Sequence, residues 1–163
     1  MVEVKGSRRL VVIGAVEKGW TREQKWIVVK NLVNNIPNIK KNFDATGSGR
    51  SDQGGVDIWF ELLMKVFAEI EFKPFPPIGE KPQCYYTRNQ KMADWGTEFW
   101  GFLPENKSLK QSGTMQTIRM ADRQSKSTHV LIVSDINLFE TSNRGFYDLE
   151  DAIKFAPLGV EED

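Results

Sequence analysis

With 163 residues, 40% of them hydrophobic, the chain has material for one buried core, and a single domain over 1–163 is expected. Its 22 basic residues are balanced by 22 acidic ones, which excludes the net positive field that broad phosphate-backbone binding uses. The longest apolar run, IWFELLMKVFAEI, is broken by Glu61, Lys65 and Glu69 and falls well short of the ~20 apolar residues of a membrane span. Cys84 is the only cysteine, which rules out an internal disulfide and fits a reducing compartment; no signal-peptide layout is read at the start.

In chain order, RRLVVIGAV and TREQKWIVV predict two strands about a turn at Gly19, because β-branched residues fill both. NIKKNFDATGSG predicts a third strand, with Ile39, Lys41, Phe43 and Ala45 alternating until the Gly-Ser-Gly stops it. A long helix follows. Val56, Trp59, Phe60, Leu63, Val66, Phe67 and Ile70 recur at the spacing of one buried face, with Ser51 or Asp52 as the N-cap. KPFPPIGEKP has four prolines in ten residues and predicts a loop. TMQTIRMA and THVLIVSDINLF predict strands of an antiparallel hairpin about DRQSKS, and FYDLEDAIKFA a short final helix. The sum is an α+β fold, an antiparallel sheet packed against one long central helix with a C-terminal hairpin.

Little points to chemistry. His129 is the single histidine and stands in a strand pattern without partners at ligand spacing, so a zinc site is not expected. GSGRSDQGG precedes a helix but lacks the Gly-Lys-Ser/Thr ending of a phosphate loop, and is taken as turn plus cap. Asp44, Asp52 and Asp57 show no metal spacing and stand with no nucleophile, so no metal, cofactor or catalytic residue is assigned and the chain is not expected to be an enzyme.

Four aromatics, Trp95, Phe99, Trp100 and Phe102, crowd into eight positions and are expected to pack as core beneath the sheet. Trp95-Gly96-Thr97-Glu98, Gly101-Phe102-Leu103-Pro104, Ser127-Thr128 and Val130 to Ser134 follow one another at spacings that resemble the cap-binding domain of the second basic subunit of the orthomyxovirus (influenza-type) RNA polymerase. The Ser-Gly-Arg loop and a helix ending in Val66-Phe67 resemble it too, and the divergence suggests the thogotovirus group.

The resemblance implies a non-catalytic domain of a larger viral polymerase subunit. It would bind the 7-methylguanosine cap of host pre-mRNA for cap-snatching, with other polymerase subunits as partners, in the host nucleus and in the virion. Two rings would sandwich the methylated base, gaining cation–π energy over stacking. Phe67 falls at the family's stacking position and Trp20 is the substitute for the opposing ring, each with a plain packing role as its alternative. The guanine-reading acid aligns with Thr21, so that Glu23 serves after a slip of two; the lysine aligns near Pro37, with Lys40 and Lys41 the nearest bases. The other reading is a structural or docking module of the same polymerase with a degraded pocket and no cap binding.

Overall fold

A computed structural model describes residues 7–105, 112–134 and 138–142, the last as backbone alone. Strand β1, Arg9–Gly14, buries Leu10, Val11, Val12 and Ile13 almost completely. A strand buried on both faces reads as an unbroken apolar run, and such strands sit in parallel sheets covered by helices on both sides. The fold is of that kind. A 3-10 turn at Glu17–Gly19 leads to α1, Arg22–Asn34, then α2, Ile36–Asn42, and β2, Ala45–Ser48. Helix α3, Val56–Phe67, is followed by β3, Glu71–Pro74; α4, Gln83–Trp95, by β4, Glu98–Pro104; and α5, Gly113–Arg123, by β5, Ser127–Val133, and β6, Leu138–Ser142.

The sheet order is β3-β2-β1-β4-β5-β6. Every neighbouring pair from β3 to β5 is parallel, and β6 closes the sheet antiparallel to β5. On one face, α1 to α3 lay Val28, Leu32, Ile39, Phe60 and Met64 against Leu10, Val12 and Phe102. On the other, α4 and α5 lay Met92, Ala93, Met115 and Ile118 against Val11, Ile13, Phe99 and Val130.

The expected antiparallel α+β fold is therefore not formed; the protein is α/β, with a five-strand parallel sheet. TREQKWIVV is helical because Thr21 and Gln24 make a reciprocal capping box, the Thr21 hydroxyl accepting from the Gln24 N–H and the Gln24 side chain accepting from the Thr21 N–H. That arrangement satisfies two of the end donors that a helix start leaves open. NIKKN belongs to α2, leaving only Ala45–Ser48 as strand. TMQTIRMA is α5, started by Ser112, whose hydroxyl accepts from the Met115 N–H; DRQSKS joins a helix to a strand, so there is no hairpin there. Helix α4, Gln83–Trp95, follows the proline-rich loop and is not among the expected elements.

The long helix is present as α3, yet it is one of five α-helices among the described residues, and neither Ser51 nor Asp52 caps it. Gly55 occupies the cap position at φ 95°, and a Cβ there would lie 2.3 Å from the Ala15 carbonyl oxygen, an approach only glycine permits. The proline-rich segment is irregular beyond Lys73 and Pro74, which pair with Gly47 and Ser48. Phe99 and Phe102 are fully buried, as expected, but within central strand β4 and not beneath the sheet; Trp95 and Trp100 are half-buried. The expected final helix, FYDLEDAIKFA, lies outside the described residues.

Candidate functional site

In an open parallel sheet the strands before and after the switch of winding direction part at their carboxyl ends, and ligands bind in the crevice left there. Here the winding runs outward from β1 to β2 to β3 over one face, then returns across the other face through α4 to β4 and β5. The switch falls between β1 and β4. A cleft of about 440 Å³ opens at that place, between the ends of β1 and β4, the loops after β1 and β2, and helices α3, α4 and α5. Its floor is Ile13, Gly14 and Leu103, and its polar lining includes Lys18, Ser51, Asp57, Arg88, Asn89 and the Ser112–Thr114 start of α5.

The polar groups are held from several elements at once. Asp57, in the first turn of α3, is 6% exposed, and its Oδ1 accepts from the Gly14 N–H at 3.2 Å. Burial pushes its carboxyl up to about 7, against the Arg88 charge and the Gly14 N–H that favour ionisation. Arg88, on α4, donates from Nη1 to the Gly49 carbonyl at 2.6 Å and from Nε to Asn89 Oδ1 at 2.9 Å. Asn89, 3% exposed, donates from Nδ2 to Gln116 Oε1 at 2.7 Å. Gly49 is forced: a Cβ would stand 2.5 Å from Asp57 Oδ2 and 3.0 Å from Arg88 Nη1. Hydrogen bonds thus tie the β2 loop, α4 and α5 together under the cleft, with Asp57 of α3 bonded to Gly14 and facing the Arg88 charge.

The rim is built the same way. Glu17 Oε1 accepts from the Gly55 N–H at 3.3 Å and from Trp59 Nε1 at 2.9 Å, while the Val56 N–H donates to the Ala15 carbonyl. Those contacts fix the loop after β1 on the start of α3. At the opposite wall, Ser112 satisfies the Met115 N–H, and the Gln116 N–H donates to the Ser112 carbonyl. The Gly113 and Thr114 N–H groups belong to the first turn, where no intrahelical acceptor exists and the helix dipole is positive. That end of α5 lines the cleft.

The residues expected from the sequence are divided between the two ends of the sheet. Trp20 and Glu23 follow β1 at its carboxyl end: Trp20 is half-buried, donates from Nε1 to the Ala15 carbonyl at 3.0 Å and packs on Trp59 with ring centroids 5.7 Å apart. Glu23 is exposed in the first turn of α1. Lys40 and Lys41 are exposed in the last turn of α2, just before β2 begins, and Phe67 ends α3, 56% exposed, just before β3 begins. Eight residues separate Phe67 from the Trp59 that Trp20 touches, about 12 Å along the helix axis at 1.5 Å per residue. Phe67 and Trp20 do not face each other.

Sequence reasoning missed Arg88, Asn89 and the start of α5, and set Asp57 and GSGRSDQGG aside. The signal available was Ser112-Gly113-Thr114 before a run in which Thr114, Met115, Thr117, Ile118, Met120 and Ala121 are buried, a broad helical face behind a capping serine. Comparison with protein-family models, with curated proteins and with solved structures finds no match.

Proposed function

We propose that the protein is a binding domain for a small phosphorylated ligand of nucleotide type, held in the cleft between β1 and β4. The observation that carries this is the coincidence, at the switch point of the sheet, of a cleft of about 440 Å³ with Gly113 and Thr114 at the start of α5 and the cations Lys18 and Arg88. Clefts of roughly 300–1,000 Å³ suit small ligands, and helix starts bind phosphate through their free N–H groups and dipole. The ligand's phosphate sits against Gly113 and Thr114, within reach of Lys18. Its ring lies over Ile13, Met92 and Leu103, with Asp57 and Asn89 near enough to the cleft to meet polar edges.

Calorimetric titration with ADP and GDP tests it. Gly113→Glu puts a carboxylate at the helix start, where the dipole favours it and where a Cβ would meet nothing closer than 3.9 Å, so the fold is kept while a phosphate is repelled. Affinity is expected to fall at least tenfold; binding that is absent in the native chain, or unchanged in the variant, overturns the reading.

The cap-binding reading remains a second proposal, supported by the exposed ring of Phe67 and no longer by an antiparallel fold or a Phe67–Trp20 sandwich. With it would come viral polymerase partners and a nuclear and virion location. Preference for 7-methyl-GTP over GTP, lost in Phe67→Ala, would support it; equal affinity would leave it without support.

A further inference from the structure

On the side of α4 away from the first cleft lies a second one, of about 450 Å³, between α4 and the segment running out of β3. Its apolar corner is made by Phe75 and Trp95, whose ring centroids are 5.6 Å apart at an interplanar angle of 59°. Three cations, Lys73, Arg88 and Lys91, line it against one carboxylate, Asp94. Asp94 is engaged elsewhere, accepting through Oδ1 from Gln90 Nε2 at 3.0 Å and Gln124 Nε2 at 2.8 Å. Neither Lys73 nor Lys91 pairs with a carboxylate among the described residues. The Lys73 ammonium stands 5.3 Å from the centroid of the Phe75 ring. Arg88 is held by Gly49 and Asn89, so its charge is fixed at the wall common to both clefts.

We propose that this second cleft binds a small aromatic anion, its ring in the corner of Phe75 and Trp95 and its charge between Lys73, Lys91 and Arg88. Aromatic surface next to unpaired ammonium groups recognises that combination better than either half alone: ring burial supplies affinity and the charges supply selection. This goes beyond the ligand of the first cleft and does not depend on it.

The test uses the full chain and phenyl phosphate, followed by amide and indole NMR spectra, with phenol and inorganic phosphate as the separated halves. Phenyl phosphate is expected to saturate and to move the Trp95 indole signal, and phenol and inorganic phosphate each to bind at least tenfold more weakly. The double variant Lys73→Glu, Lys91→Glu alters two exposed side chains and is expected to melt like the native chain while losing at least tenfold in affinity. The proposal is overturned by phenol binding as well as phenyl phosphate, by unchanged affinity in the double variant, by signals moving only at Gly113 and Thr114, or by no saturation at millimolar ligand.

Discussion

Asp57→Asn separates two accounts of the buried carboxyl under the first cleft. Folded, the group holds its proton up to about 7; its ordinary value is 3.8. Between those values the native chain binds more protons than the unfolded chain, so unfolding free energy falls as the pH rises through the interval and levels off above it. At 1.36 kcal/mol per pH unit the loss is at most about 4 kcal/mol. The raised value already contains the Arg88 attraction and the Gly14 hydrogen bond, and asparagine keeps an oxygen for the Gly14 N–H with no charge to desolvate, so the expected gain is about 4 kcal/mol. Urea denaturation at pH 4, 6 and 8 should find the two proteins equal at pH 4 and the variant more stable at pH 8 by that amount. A variant less stable than the native protein at pH 8 would refute the reasoning, because it would mean that the attraction of Arg88 outweighs the cost of burying the ionised Asp57 carboxylate.

The ion pair on α3 has the opposite pH sense. Glu61, 5% exposed, accepts from Arg50 through both oxygens and from Lys65 at 2.9 Å, and the Arg50 hydrogen bonds, outweighing its burial, hold its carboxyl below the ordinary 4.5. Stability from this pairing is present above pH 4.5 and is lost as the pH falls through the lowered value; Arg50→Ala should cost about 2 kcal/mol at pH 7 and much less at pH 3, by chemical denaturation. Phe102→Ala empties a fully buried site on β4 and should cost about 3–5 kcal/mol, read from the urea midpoint. Gly55→Ala should cost more than about 1 kcal/mol, since its φ of 95° and its contact with the Ala15 carbonyl both oppose a Cβ; a thermal melt checks it. Thr21→Ala removes half of the capping box on α1 and should lower stability by about 1 kcal/mol.

Helix α3 was legible from its apolar period, but only Val56, Trp59 and Phe60 of the expected face are buried, joined by Met64; Val66 and Phe67 are exposed, and Ile70 lies beyond the helix end. Strand β1 was legible as a strand, but its unbroken apolar run was read as one arm of a hairpin when it signals burial on both faces. Helix α1 was hidden by Trp26, Ile27, Val28 and Val29, residues of strand preference that the capping box and the burial of Val28 and Leu32 overrule. In α5 the threonines and methionines mimic alternation, whereas burial takes in the pairs 114–115, 117–118 and 120–121, a broad helical face. The cleft escaped because no single motif encodes it: Asp57, Arg88 and Ser112 come from three helices, and only the strand order brings them to one place.

That strand order also dictates when the cleft can exist. Strand β1 is flanked by β2, its near neighbour in sequence, and by β4, and the Arg9 N–H that donates to Thr97 Oγ1 bridges a separation of 88 residues. Closing so large a loop is entropically costly and makes β1–β4 pairing slow relative to the local β1–α–β2 unit. On the ribosome, β1 must wait with one edge open until β4 has emerged, its backbone available to any stray strand in the interval. The binding crevice is therefore a late product of folding, and damage to β4 or α4 should leave a partly assembled β1–β2–β3 half in which both walls of the cleft contributed by α4 and α5 are missing.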